Sequence, residues 1–152
     1  MNILIIEDGF EYFELMQRFL GDRYDFIRAE HFDAANSILM RSKMDVVYLD
    51  LNFERLQGTH LVGDLERLQA RFNGDAVKSQ QFVARNQGLF ILDAIRREGH
   101  GLPVLMSHDF SREKERWSRI AKRHNPVAYV ADNAGPNEIA AMFNKWRDDS
   151  GG

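Results

Sequence analysis

The chain has 152 residues, of which 44% are hydrophobic and 28% are charged, a composition typical of one soluble globular domain. It contains no cysteine, which excludes disulfides, thiolate metal sites and cysteine nucleophiles and suits a reducing cytoplasm. The net charge of −3 argues against nucleic acid as the main partner, and no apolar run is long enough for a membrane span or has the form of a signal peptide.

Strand and helix patterns alternate along most of the chain. Short apolar, β-branched runs typical of buried strands alternate with segments in which apolar residues recur at helical spacing. Strands are predicted at 2–8, 24–29, 45–50, 103–106 and 127–131, and helices at 10–20, 32–40, 88–97, 111–123 and 136–147. This alternation predicts an α/β, doubly wound domain, with a parallel sheet and helices on both faces.

Two of the predicted strands end in carboxylates. The first runs into Glu7 and Asp8, and the third ends at Asp50. If these strands lie side by side, the three carboxylates meet at the carboxyl edge of the sheet, where open α/β sheets bind their ligands. Three acids in one place repel one another unless a cation lies among them, and a hard divalent ion with oxygen ligands is the usual one. The sequence therefore predicts an acidic Mg²⁺ pocket.

Several motifs resemble the receiver domain of bacterial two-component response regulators, in the order in which that family has them. They are Ile-Ile-Glu-Asp at 5–8, Tyr-Leu-Asp-Leu at 48–51, Gly-Leu-Phe-Ile-Leu-Asp-Ala-Ile-Arg at 88–96 and Leu-Pro-Val-Leu-Met at 102–106. The resemblance implies a five-stranded sheet in the order 2-1-3-4-5. It also implies that Asp50 is the phosphoryl acceptor, that Glu7, Asp8 and Asp50 carry Mg²⁺, and that the backbone carbonyl of Asn52 is a further metal ligand.

The family pattern is interrupted after the third strand. The glycine that opens the third helix usually follows the acceptor by about eight residues, whereas here it is Gly88, so that 51–87 contains an insertion of roughly thirty residues. Apolar spacing predicts a helix over 61–72, followed by a polar stretch over 73–87. The insertion covers the acidic pocket, presents a new surface or only packs on the domain.

The chain departs from the receiver pattern at the end of the fourth strand. An ungapped alignment puts His108 where receivers have the hydroxyl residue of the site, and a shift of one residue puts Ser107 there. Because neighbouring strand residues point to opposite faces, the two cannot face the pocket equally. His108 is then either a hydrogen-bond donor to a phosphoryl oxygen or a partly exposed loop histidine.

A second departure removes a cation. Receivers have a lysine near the end of the fifth strand that pairs with the acceptor, and this chain has Asp132 there. The acid disfavours a phosphoryl group unless the metal, or Lys78 or Arg85 of the insertion, supplies positive charge; alternatively, it only begins the turn into the last helix. Tyr129 matches the aromatic position that rotates in active receivers, or it is an ordinary strand aromatic.

Three functions fit these residues. The first is a phosphoacceptor receiver that takes its phosphoryl group from a histidine kinase or phosphotransfer protein and acts on a downstream protein through the face of the fourth helix, fifth strand and fifth helix. The second is a pseudo-receiver, an interaction module that uses the insertion without phosphorylation. The third is a Mg²⁺-dependent phosphatase or nuclease, which fits least because such families have a second acid where Asn52 stands.

We expect one signalling domain over 1–148 rather than an enzyme, with a flexible tail over 149–152. No output domain follows it in this sequence, so we expect a stand-alone cytoplasmic regulator that acts by protein contact, as a monomer or homodimer. Neither nucleic acid nor a membrane is an expected partner.

Overall fold

A computed structural model describes residues 1–56 and 58–151, and it describes the side chains of all of these except 59, 65, 66, 150 and 151. Five strands form one parallel sheet in the order β2-β1-β3-β4-β5. The strands are β1 Asn2–Ile6, β2 Asp25–Ala29, β3 Val46–Asp50, β4 Val104–Ser107 and β5 Val127–Val130. The predicted doubly wound fold and its strand order are confirmed.

Helices cover both faces of the sheet. In the described part of the chain they are α1 Glu11–Leu20, α2 Phe32–Arg41, α3 Leu65–Arg71, α4 Ala76–Arg85, α5 Gln87–Arg97, α6 Lys114–His124 and α7 Pro136–Gly151. One apolar core lies between the sheet and α1 and α7, and a second lies between the sheet and α2, α5 and α6. None of the described helices is both long and apolar enough to cross a membrane.

The pleat of the strands decides which core each side chain enters. In β3, Tyr48 faces the α1 and α7 core, whereas Val47 and Leu49 face the other one. All three are fully buried, and burying an aliphatic side chain of this size stabilises the fold by about 1.5–3 kcal/mol. The same alternation places Asp50 on the side of Tyr48, at the end of the strand.

The insertion contains two helices instead of the one that was predicted. The predicted helix over 61–72 is too long, because α3 begins only after Asp64. A 3₁₀ turn at Gly58–His60 precedes it. Asp64 caps α3 by accepting a hydrogen bond from the Arg67 amide at 3.0 Å. The preceding Leu61 packs against the core, so its apolar character reflects tertiary contact rather than a helical stripe.

The second inserted helix, α4, occupies most of the stretch predicted to be polar and irregular. Asp75 caps it by accepting a hydrogen bond from the Lys78 amide at 3.0 Å. Its buried positions are Ser79, Val83 and Ala84. Two of these are small residues, and so the helix has no long apolar stripe that periodicity detects.

Other boundaries differ by a few residues. The α6 helix begins at Lys114 rather than Ser111, because the Ser111 amide donates to the Asp109 side chain in a turn. The last helix reaches Gly151 and so includes part of the predicted tail. Gln57 of the insertion and Gly152 of the tail lie outside the described residues.

Candidate functional site

A cleft of about 360 Å³ opens at the carboxyl ends of β1 and β3. These strands are neighbours, and α1, which follows β1, and α5, which follows β3 after the insertion, cover opposite faces of the sheet. Open α/β sheets bind ligands at such a point. Four acids, a tyrosine, an asparagine and one arginine line the cleft: Asp8, Glu11, Asp50, Glu54, Tyr12, Asn52 and Arg55. Asp8, Asp50 and Asn52, which the sequence assigned to the site, therefore share one cavity.

Asp50 is a half-buried carboxylate with an unusual affinity for its proton. Its Oδ1 accepts a hydrogen bond from the Leu51 amide at 2.8 Å. Burial raises the pKa of Asp50 to about 7; the negative charges of Asp8 and Glu7 also raise it, and hydrogen bonds from the Leu51 and Asn52 amides oppose this rise. The carboxyl is therefore close to half-ionised at neutral pH.

Glu7, which the sequence predicts to help hold the metal, is hydrogen-bonded to the start of α1. Its side chain is 1% exposed, and its two oxygens accept hydrogen bonds from the Tyr12 amide at 3.1 Å and the Phe13 amide at 2.7 Å. It thus caps the first turn of α1, where negative charge is favourable. Burial raises the pKa of Glu7 despite these bonds. Glu7 is not among the residues that line the cleft.

Asp8 connects the cleft to the insertion. Its Oδ2 accepts a hydrogen bond from the Arg55 amide at 2.8 Å. The Arg55 side chain then reaches Glu11, with 2.6 Å between Nη1 and Oε1. The first residues of the insertion therefore run along the edge of the cleft and bring a guanidinium to it. Within the described part of the chain, no three His, Cys, Asp or Glu side chains are grouped as a ready metal site.

Lys78 and Arg85, the two residues of the insertion that could supply positive charge to the acids, lie outside the cleft. Arg85 donates from Nε to Glu54 Oε1 at 2.7 Å, and Lys78 belongs to the first turn of α4. Neither lines the cleft. Among the described residues that line the cleft, the cation is Arg55, which sequence analysis missed. No local pattern marks it, because its partners Asp8 and Glu11 are more than forty residues away in sequence.

Ser107 shares a face of the sheet with Asp50, and His108 does not. The Cα atoms of Asp50 and Ser107 are partners in the β3–β4 ladder, and Ser107 follows the α1 and α7 side. Its hydroxyl is buried, and like the Tyr48 hydroxyl it has no partner of ordinary hydrogen-bond geometry among the described residues. Tyr12, whose ring centroid lies 5.2 Å from that of Tyr48, lines the cleft instead.

His108 lies on the α6 side of the sheet. Its Nε2 is 2.9 Å from Glu113 Oε2, and its ring packs edge-on against Phe110 at 4.6 Å between centroids. Glu113 also accepts from Arg116 Nη1 at 2.7 Å, and Arg116 Nη2 donates to Asn86 Oδ1 at 2.7 Å. These bonds join the end of β4 to α6 and to the end of the insertion.

The acid that stands in place of the receiver lysine lies just after β5. Asp132 is exposed, and its backbone carbonyl accepts a hydrogen bond from the Tyr12 hydroxyl at 3.1 Å. Tyr129 packs edge-on against Trp117 at 4.8 Å and against Phe110 at 5.5 Å between ring centroids. Trp117 thus belongs to an aromatic cluster between β5 and α6, whereas Trp146 packs against the opposite core.

Comparisons with known proteins identify the fold. No family model matches the sequence, and no curated protein matches it significantly. Solved structures do match. The chain has the fold of a receiver domain. The Francisella response regulator 1452 receiver domain aligns with a TM-score of 0.64 at 12% identity, over 98% of each chain.

Two further structures give the same result. The receiver domain of a Bacteroides fragilis two-component response regulator aligns with a TM-score of 0.64 at 18% identity, over 95% of this chain and 94% of that one. The Vibrio cholerae chemotaxis protein CheY4 aligns with a TM-score of 0.62 at 15% identity, over 95% and 96%. These structural alignments establish the receiver fold. At such low sequence identity they do not establish function, which has to be argued from the residues of the cleft.

Proposed function

We propose that this chain is a receiver-type signalling domain in which Asp50 accepts a phosphoryl group with the help of Mg²⁺. The observation that carries the proposal is the pair of carboxylates, Asp8 and Asp50, in one cleft at the carboxyl ends of neighbouring strands of a receiver fold. A buried acid with a raised pKa in a cleft is characteristic of a chemically active group.

The donor atoms of the cleft suit Mg²⁺. Carboxylate oxygens of Asp8 and Asp50 would hold the ion together with the backbone carbonyl of Asn52, whose side chain is occupied by the Glu54 amide at 2.9 Å. Glu7 adds negative charge from behind the cleft while it caps α1. Bound Mg²⁺ would neutralise the charge that collects on the carboxylate and phosphoryl oxygens.

The chemical step requires the ionised form of Asp50. A carboxylate oxygen of Asp50 attacks the phosphorus of a phosphohistidine on a histidine kinase or phosphotransfer protein. The new O–P bond forms as the P–N bond breaks, and the imidazole leaves with the bonding pair and then takes a proton from solvent. The Leu51 amide holds Oδ1 at 2.8 Å and so orients the carboxylate for this attack.

Phosphorylation of this domain is expected to be slower than in a receiver with the usual residues. The hydroxyl on the Asp50 face, that of Ser107, is buried rather than in the cleft, and Asp132 replaces the lysine. Fewer donors are therefore aimed at the phosphoryl oxygens. The downstream protein would dock on α6, β5 and α7, which correspond to the fourth helix, fifth strand and fifth helix of other receivers.

Acetyl phosphate with Mg²⁺, followed by intact-mass measurement, tests the proposal. We expect slow addition of one phosphoryl group to the wild-type chain, none without Mg²⁺ and none in Asp50→Asn. Asp93→Asn, a change on the far side of α5, should be labelled as the wild type is. Absence of labelling by acetyl phosphate and by phosphohistidine donors, or labelling that persists in Asp50→Asn, would contradict it.

A phosphorylation-independent pseudo-receiver is the second candidate. Two observations favour it. Asp132 stands where receivers have the lysine that pairs with the acceptor, and the contact between Asp8 and the Arg55 amide gives the cleft a defined structure without a phosphoryl group. This function predicts that partner binding is the same for wild-type protein and Asp50→Asn. A partner whose affinity changes only after labelling of Asp50 would exclude it.

A further inference from the structure

The cleft contains one positive side chain among its described lining residues, and it comes from the insertion. Arg55 lines the cleft together with Asp8 and Asp50. Its amide is bound to Asp8 Oδ2 at 2.8 Å, which fixes the backbone at the edge of the acidic site. The side chain therefore starts from a fixed point beside the proposed acceptor.

The guanidinium is held in a way that lets it change partners. It pairs with Glu11 at 2.6 Å, but the Arg55 and Glu11 side chains are 64% and 61% exposed. Exposed ion pairs contribute little and exchange readily with competing charges. A phosphoryl group on Asp50 would bring two negative charges into the same cleft and would compete with Glu11 for the guanidinium.

Gly9 leaves the space that Arg55 occupies. A β carbon on Gly9 would lie 2.2 Å from both Arg55 Nη1 and Glu11 Oε2. Any larger residue at this position therefore disturbs the Arg55–Glu11 pair where it lies, whereas the backbone at Gly9 has no conformation that demands glycine. Other cations near the cleft are engaged elsewhere, since Arg28 binds the Gly9 carbonyl and stacks on Phe10 at 3.8 Å, and Arg85 binds Glu54.

We infer that Arg55 is the anion-binding residue of this cleft, and that it contacts the phosphoryl oxygens in place of the lysine that the chain lacks. The inference rests on the proposed function, because it needs a phosphoryl group on Asp50. The planar fork of an arginine suits this task, since it can donate two parallel hydrogen bonds to phosphoryl oxygens. The insertion then provides a binding residue as well as surface.

Beryllofluoride, which mimics a phosphoryl group on a carboxylate, allows a binding test. The dissociation constant for Mg²⁺ is measured first, and that for beryllofluoride is then measured at saturating Mg²⁺ by calorimetry and ¹⁹F NMR. We expect Arg55→Ala to weaken beryllofluoride binding about tenfold or more, the effect of losing a charged hydrogen bond. Binding of Mg²⁺ alone should be unchanged or tighter, because a competing positive charge is gone.

Matched variants isolate the position of the charge. Arg85→Ala removes an arginine of the insertion outside the cleft, and it should bind beryllofluoride as the wild type does. Gly9→Ala keeps Arg55 but places a methyl group where its guanidinium meets the Glu11 carboxylate, and by displacing the guanidinium it should weaken beryllofluoride binding without changing the net charge. Circular dichroism and urea unfolding check that each variant is folded.

The outcomes separate the inference from the proposed function. If wild-type protein binds no beryllofluoride at saturating Mg²⁺, the proposed function fails. If the wild type binds and Arg55→Ala binds equally well or more tightly, the proposed function stands and the role of Arg55 is wrong. Weaker binding by both Arg55→Ala and Gly9→Ala, with Arg85→Ala unchanged, supports the inference.

Discussion

Gly88 lies so close to Asp50 that a β carbon on Gly88 would be 2.2 Å from the Asp50 carbonyl oxygen. The Gly88 amide also donates to the Leu51 carbonyl at 2.9 Å. The start of α5 is thus packed directly on the backbone of the proposed phosphoryl acceptor. The chain leaves the sheet at Leu51 and returns to the same point after the insertion.

This contact predicts that Gly88→Ala is strongly destabilising. We expect it to lower the free energy of unfolding by about 2–3 kcal/mol, because the added methyl meets backbone that has no room to move. Gly101→Ala is the control, since nothing lies within 4 Å of a β carbon there. Urea unfolding measures both, and a similar loss in the two variants would show that the close approach is not restrictive.

Neutralising Asp50 should stabilise the fold at high pH. Burial raises the pKa of Asp50 to about 7. The unfolded chain releases this proton near pH 4, so the folded state binds protons more tightly and wild-type stability falls as pH rises from about 4 to 7. Asp50→Asn cannot ionise at this position, and so its stability does not fall in this way as pH rises. In EDTA we expect it to exceed wild-type stability by about 1–3 kcal/mol at pH 8, with little gain at pH 4.

The exposed change Asp22→Asn controls for the net charge of the Asp50 variant. It should follow the wild-type stability at both pH values, as measured by urea unfolding. A gain in Asp50→Asn that does not depend on pH would mean that ionisation of Asp50 is not its cause.

The bonds of Glu113 to His108 and Arg116, which join β4 to α6, predict that stability depends on pH in the opposite direction. Hydrogen bonds from His108 and Arg116 lower the pKa of Glu113. The stabilisation is therefore present above the unfolded pKa and lost as pH falls through the lower, folded value. Glu113→Gln should lose about 0.5–1 kcal/mol at pH 7, since the group is partly exposed, and almost nothing near pH 3. Glu115→Gln, on the same turn of α6, should have a smaller effect, and equal losses would contradict the link.

Substitution of Arg96 should destabilise the fold much more than the same substitution of its neighbour Arg97. The Arg96 guanidinium donates four hydrogen bonds, of 2.8–3.0 Å, to the backbone carbonyls of His100, Leu102, His124 and Pro126. A lysine presents its donors from one atom and cannot span these carbonyls. Arg96→Lys should lower the free energy of unfolding by about 2–3 kcal/mol. Arg97→Lys, at a side chain that is 75% exposed, should change it by less than about 0.5 kcal/mol.

The sheet was predictable from sequence because its central strands are apolar on both faces. Residues such as Leu4 and Val47 enter one core and Ile5 enters the other, so that each strand reads as a short uninterrupted run. The inserted α4 was missed because small buried residues, Ser79 and Ala84, give no stripe. Its one clear local signal was the capping residue Asp75.

The cleft was predictable only in part. Strand ends place Asp8 and Asp50 at the same edge of the sheet, and this follows from parallel strand order alone. Strand ends do not reveal that Glu7 turns back to cap α1, because that depends on the path of the loop. They also do not reveal Arg55, whose position is set by contacts between the insertion and the first helix.

The return of the chain at Gly88 has a consequence for how this architecture can change. The hydrogen bond from the Gly88 amide to the Leu51 carbonyl joins the two ends of the insertion. The strand register therefore does not depend on how many residues lie between them. The entropic cost of a longer excursion grows only with the logarithm of its length. A sheet of this topology can therefore acquire new chain, and with it new chemistry, beside its acids while its own strands stay as they were.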